Sequence, residues 1–163
     1  MNTQPYLYRM PVGIAGAISR YHDLTVEPVI INTDKAFKAY GLAGKYEGDY
    51  FVPLSEGDTA DVIQGIYVRP YPTTETADFA RQSGKGKYFP GDALKRGYMT
   101  VTVADASAIQ KGGKVYVRIK ATETEPLGGF ATSLIANETV ELPNAQFTGS
   151  GDASGNAEIS YKI

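Results

Sequence analysis

The chain has 163 residues, 42% hydrophobic and 21% charged, with a formal net charge of −2, a profile that fits one globular domain with an ordinary core. It contains no cysteine and one histidine, which excludes disulfide scaffolds, zinc ribbons, thiol nucleophiles and multi-histidine metal sites. The slightly acidic balance gives no overall attraction to nucleic acid or to an anionic membrane, so neither is expected as a partner.

In chain order, Met1 to Arg9 shows no apolar stretch behind a basic start, so no signal peptide is expected, and no run approaches the roughly 18 apolar residues of a membrane span. Residues 1–23 have weak periodicity and predict an extended N-terminal arm, leaving 24–163 as a single β-rich domain. Eighteen glycines and nine prolines interrupt the chain too often for long helices. Only residues 34–40 and 74–82 suggest short helical pieces. Leu24 to Ile31 is β-rich, with Pro28 marking an edge or bulge because it has no ladder donor. Lys45 to Val52 is a further strand candidate. Val62 to Val68 is apolar on both faces and predicts a central strand.

Residues 70–92 hold Pro70, Pro72, Gly84, Gly86, Pro90 and Gly91 and read as a long irregular loop, a kind that is usually functional or mobile. Beyond it, Met99, Val101 and Val103 alternate with Tyr98, Thr100 and Thr102. Val115, Val117 and Ile119 alternate with Tyr116, Arg118 and Lys120. This period of two predicts strands, and the turn at Lys111-Gly112-Gly113 suggests that the two runs pair antiparallel. Val140 with Leu142, and Ile159 with Tyr161 and Ile163, repeat the pattern. The class is all-β, a sandwich or barrel.

No constellation here marks catalysis. His22-Asp23 lies beside Ser19 and Arg20, but neighbours in an extended chain point to opposite sides, so a triad is not expected. Asp152-Ala153-Ser154-Gly155-Asn156 spaces oxygens as a calcium loop does, yet Ala157 and Ile163 stand where that loop needs glycine and glutamate; a turn feeding the last strand is expected. Gly41-Leu42-Ala43-Gly44-Lys45 lacks the phosphate-loop spacing, and Gly84-Lys85-Gly86-Lys87 neither follows a strand nor opens a helix. No cofactor and no metal are expected, and the chain reads as a non-enzyme.

Two charge groupings stand out: basic Arg81, Lys85, Lys87, Lys95 and Arg96, and acidic Glu47, Asp49, Glu56, Asp58 and Asp61. They read as solvated loops, with complementarity between chains as the sharper alternative. Tyrosine, at 12 residues, concentrates in the arm and the irregular segments. Arginines sit among these tyrosines, the pairing that protein interfaces favour. Tyr98, Tyr116 and Tyr161 read instead as ordinary strand residues.

Several segments taken together carry a resemblance. Arg9-Met10-Pro11-Val12-Gly13-Ile14-Ala15-Gly16, then Ile18-Ser19-Arg20, form the first. Val68-Arg69-Pro70-Tyr71-Pro72-Thr73 and Lys95-Arg96-Gly97-Tyr98-Met99-Thr100-Val101 follow, then Lys111 to Arg118 and Gly155 to Ile159. In this order the chain resembles tailed-bacteriophage capsid decoration proteins, also called structural cement proteins. The resemblance implies a jelly-roll-like module on the outer surface of the virion, synthesised and assembled in the host cytoplasm. It implies major capsid protein as partner, stabilisation of contacts between capsomers, and homodimers or homotrimers on capsid symmetry axes. It carries no catalytic residues. The candidate contact residues are Tyr6, Tyr8, Arg9, Met10 and Arg20 from the arm, with Arg69, Tyr71 and Arg96 from the loops. The alternative is a carbohydrate- or cell-surface-binding β module of a phage tail or fibre, and a carboxylate-pair hydrolase finds no recognisable site.

Overall fold

The computed structural model describes residues 12–71, 73–77 and 87–163. The all-β expectation holds: among the described residues nine strands form a continuous sheet, and helical structure is limited to short 3-10 turns at Thr33–Lys35, Ala60–Val62 and Ala106–Ala108. The strands are β1 (Ile18–Asn32), β2 (Ala43–Glu47), β3 (Tyr50–Pro53), β4 (Gly65–Tyr67), β5 (Tyr88–Thr102), β6 (Lys114–Arg118), β7 (Phe130–Ala131), β8 (Thr139–Phe147) and β9 (Asn156–Tyr161).

The ladder runs β1-β3-β2-β4-β5-β9-β8-β6-β7, and β1 also pairs with β5. That extra pairing closes β1, β3, β2, β4 and β5 into a ring. A parallel bridge between Val103 and Phe130 ties the chain just past β5 to β7 and closes the other strands in the same way. Closure removes exposed edges, which a nine-stranded open sheet would have to protect by other means. Strand β5 is common to both rings.

Each ring has its own core. Phe37, Tyr40, Phe51, Tyr67, Ile31 and Phe89 fill the first, and Met99, Val101, Val115, Phe147, Ile159 and Tyr161 are among those in the second. Aromatic rings in the first core stack closely, Phe37 on Tyr67 at 4.6 Å and on Phe51 at 5.1 Å between centroids. Gly44 gives them room: a Cβ there would lie 2.6 Å from Phe37 Cζ and 2.7 Å from Phe51 Cζ.

Strand β5 serves both cores by changing face. Phe89 and Ala93 point into the first core, whereas Leu94, Met99, Val101 and Val103 point into the second. The positions that face the second core change from even (Leu94) to odd (Met99, Val101) around Gly97, whose φ of +141° is open to glycine and strained for other residues. Across from it, β1 spends Arg20 to Thr25 against only Tyr98 to Arg96. This bulge pushes Tyr21, His22 and Asp23 outward.

The structure corrects several sequence expectations. Residues 98–103 and 115–119 do not pair with each other, because β5 pairs with β9 and β6 with β8 and β7. Of the short helical piece expected at 34–40 only Asp34 and Lys35 are helical, in the 3-10 turn, and Phe37 and Tyr40 are core residues in irregular chain; residues 74–77 are irregular and 78–82 lie outside the described residues. Strand β1 begins at Ile18, inside the expected arm, and residues 12–17 are tied to the body by Thr100. Its hydroxyl donates to Val12 O, its N–H to Ala17 O, and its carbonyl accepts from Gly16 N. The end of the expected 70–92 loop is also strand, since Tyr88 to Asp92 pairs with Asn32 to Pro28. Pro28 lies where β1 pairs with β5 alone, β3 reaching only Ile30 and Ile31, in keeping with its edge assignment.

Candidate surface for partner contacts

Tyr6, Tyr8, Arg9 and Met10 lie outside the described residues. The other four candidates fall into two groups. Arg69 leaves the end of the first ring just after β4 and acts as a clamp. Its Nε donates to Ala15 O at 2.7 Å, and its Nη1 donates to Thr73 O at 3.4 Å and to Glu75 O. Its guanidinium lies 4.8 Å from the Tyr40 ring centre, and burial lowers its pKa from the ordinary value. The clamp fixes the Pro-rich turn on which Tyr71 stands 97% exposed.

Arg20 and Arg96 sit on the β1–β5 ribbon itself, on either side of the bulge. Arg20 makes a two-pronged ion pair with Glu158 of β9, 2.5 and 3.1 Å long, and stacks 4.5 Å from the Tyr98 ring centre. Burial pushes the Glu158 carboxyl up, but hydrogen bonds from Arg20 and the Thr148 hydroxyl outweigh it and hold the group below its ordinary value. Arg96 pairs with Asp23 at 3.5 Å, which steadies Asp23 in its left-handed conformation of φ 53°. Both arginines keep about half of their side-chain surface in solvent, 50% and 49%. Tyr21, at the tip of the bulge, is 79% exposed.

The charge groupings are largely used within the chain. Lys95 reaches Glu27 at 3.3 Å and the Gln64 carbonyl at 2.6 Å. Among the acids, Asp58 binds Lys45 at 2.9 Å and Glu47 binds Lys35. Arg81 and Lys85 lie outside the described residues. His22 is exposed beside Asp23, and among the described residues no hydrogen bond joins it to a nucleophile. The Asp152 loop is the expected turn: Asp152 Oδ1 accepts from Ser154 N and Asn156 N, both at 2.9 Å. Among the described residues no group of three or more His, Asp or Glu side chains could hold a metal ion.

Sequence reasoning missed one surface. Tyr50 and Tyr88 stack with centroids 4.7 Å apart and planes within 5°. Ile30, directly opposite both Tyr50 and Pro90, is 47% exposed beside them. The continuous apolar run Val29-Ile30-Ile31 hides this face. Its alternation appears only once Val29 and Ile31 are known to be buried.

These features define an all-β protein with paired arginines and exposed tyrosines on and beside a long ribbon, and no assembled catalytic group among the described residues. The family model of the XM1 gp53 minor capsid protein matches residues 3–161. The chain therefore belongs to the XM1 gp53 minor capsid protein family and is a structural component of a virion. Among solved structures, a chain from the capsid of Myoviridae phage XM1 shares the fold. Its TM-score is 0.68 at 18% identity, over 95% of this chain and 93% of that one. No curated protein matches the chain.

Proposed function

We propose that the protein is a decoration, or cement, component: it binds the outer surface of the phage head and strengthens contacts between capsomers of major capsid protein. It acts without catalysis. The observation that carries this reading is Tyr71, 97% exposed on a turn that Arg69 holds rigid. A ring presented on a fixed backbone binds a partner with little ordering cost, and tyrosine is among the residues that dominate interface energetics. Residues 1–11, with Tyr6, Tyr8, Arg9 and Met10, supply a second contact as an arm. Arg20 and Arg96 add exposed cations whose geometry is already set by their ion pairs.

Each contact is modest, and affinity comes from several at once. A homodimer or homotrimer that engages several capsid subunits gains about 10²–10⁴ in avidity without new chemistry. Such binding selects the mature lattice, whose spacing lets all contacts form together.

Cosedimentation with mature, undecorated heads and with procapsids tests this. Saturation at fixed stoichiometry on heads, weaker on procapsids, is the expected outcome, with Tyr71→Ala and removal of residues 2–11 each lowering occupancy. Residues 12–20 are left in place because they are built into the body. Absence of binding to either particle would overturn the proposal.

A further inference from the structure

Among the described residues Arg118, the last of β6, is the one buried charged residue, 8% exposed. Its Nε and Nη1 are enclosed and have no hydrogen-bond partner among the described residues. Two carboxylates face it at ion-pair distance but beyond hydrogen-bond reach. Glu125 Oε2 lies 3.9 Å from Nε, and Glu138 Oε2 lies 3.7 Å from Nη1. Neither acid has another ion-pair partner among the described residues. An enclosed guanidinium without hydrogen bonds is costly, and a charge-assisted bond forms at about 2.7–2.9 Å. A shift of about 1 Å towards either acid therefore satisfies one of the two nitrogens.

The two acids belong to different segments. Glu125 sits in residues 120–129, a strap that crosses from the second ring to the first. At its root, Gly128 N–H donates to Arg118 O at 2.9 Å and Gly129 O accepts from Arg118 N–H at 2.8 Å. On the first ring, Gly128 O accepts from Ala43 N–H of β2 at 2.9 Å. The crossing is tight, since a Cβ on Gly128 would lie 2.4 Å from Ala43 O. Within the strap, Thr122 N–H donates to Glu125 O at 2.9 Å, and Glu125 N–H donates to Thr122 Oγ1 at 3.0 Å. Glu138 belongs instead to the turn at 132–138 that leads into β8. There Ile135 N–H donates to Thr139 Oγ1 at 2.7 Å, and Ile135 O accepts from the N–H groups of Glu138 and Thr139, both at 3.0 Å. Leu134 stands 66% exposed on this turn. Arg118 and Thr139 are directly paired in the β6–β8 ladder, so the guanidinium starts from a fixed backbone between strap and turn.

We infer that Arg118 is a shared latch: its guanidinium closes on Glu125 or on Glu138 in turn, and holding one segment releases the other. Closed on Glu125, it locks the strap and with it the seam between the rings. Closed on Glu138, it locks the turn and frees the Glu125 carboxylate into the cleft of about 410 Å³ that Glu125 lines with Tyr40, Arg69 and Thr102. Each state exchanges one charge-assisted bond for another of the same kind, so the two lie close in free energy. Coupling of this sort needs an element with two discrete arrangements that both ends bias, and a single cation between two acids is such an element. The latch operates within the chain and stands whether or not the protein binds phage heads.

The test removes one acid at a time and reads amide hydrogen exchange by NMR. Glu125→Gln and Glu138→Gln keep the side-chain shape at positions 22% and 33% exposed, and thermal melts verify folding. The amides of Thr122 and Gly128 report on the strap, those of Ile135 and Thr139 on the turn. Glu138→Gln is expected to slow exchange in the strap and speed it in the turn, each by roughly three- to tenfold, the size of one partly screened charge-assisted bond. Glu125→Gln gives the mirror image. Arg118→Met removes the shared cation and speeds both sets, and adding Glu138→Gln to it changes neither further. Should the methionine variant fail to fold, the opposite responses of the two glutamine variants decide the matter alone. Exchange in the strap that is unchanged or faster in Glu138→Gln would show the two acids acting side by side, and would overturn the latch.

Discussion

Replacing Arg69 with methionine removes the clamp while keeping most of the apolar stem. The loss is the 2.7 Å bond to Ala15 O, the two bonds to the Thr73 and Glu75 carbonyls, and the contact with the Tyr40 ring. Hydrogen bonds from a charged donor contribute about 1.5–3 kcal/mol each when well formed, and a partly exposed cation–ring contact about 0.5–1 kcal/mol. Partial solvent access and the long bond to Thr73 discount that sum, and about 3 kcal/mol remains. For a chain of this size that corresponds to a fall in Tm of roughly 6–12 °C. Arg69→Lys regains only a part, because a single ammonium cannot span two sides as a planar guanidinium does. Urea unfolding at pH 7 gives the free energies, and limited proteolysis reports release of residues 70–77. A loss below about 1 kcal/mol, or a lysine variant equal to wild type, would refute the clamp.

Tyr161 is 1% exposed, its hydroxyl has no hydrogen-bond partner among the described residues, and burial pushes its pKa up to about 12. Because that value lies above the unfolded one of about 10, the stability linked to the neutral phenol is complete below pH 10 and is lost as pH rises towards 12. Tyr161→Phe is expected to be neutral to about 1 kcal/mol more stable at pH 7 and to lose less than wild type between pH 10 and 12; parallel curves in alkaline urea titrations would contradict this. Gly44→Ala places a methyl against Phe37, Phe51 and the Val52 carbonyl, at 2.6, 2.7 and 2.8 Å. Overpacking of this kind costs about 1–3 kcal/mol, so a denaturation midpoint unchanged from wild type would show that the aromatic core yields.

The strands with one buried face were legible from the sequence. Asn156–Tyr161 alternates strictly and Lys114–Arg118 does so as far as Val117, so Val115, Val117, Ala157, Ile159 and Tyr161 are the buried residues the period of two picks out; Arg118, also buried, breaks the pattern. Pairing was not legible. Residues 98–103 and 115–119 look like neighbours because they are close in sequence, yet β9 intervenes from the C-terminus. β1 and β5 are also hard to read because each serves two cores on opposite faces, so no single alternation runs through them. The turn at Arg69 and Tyr71 could be singled out by residue type. The role of Arg69 could not, because the carbonyls of Ala15 and Glu75 that it joins come together only in the fold. The strip of Ile30, Tyr50 and Tyr88 draws on three strands, and no local pattern marks it.

The shared strand has a mechanical meaning. β5 is a wall of both rings, so a load applied at Tyr71 or at Tyr21 reaches the same backbone. Pulling the first ring open shears the long β1–β5 ladder, whose bonds resist together over many residues, instead of unzipping a short hairpin one bond at a time. Register shifts interrupt that ladder between Ile18 and Val26, so its unbroken part runs from Val26 to Asn32. A shell component built in this way is stiffest along that ladder.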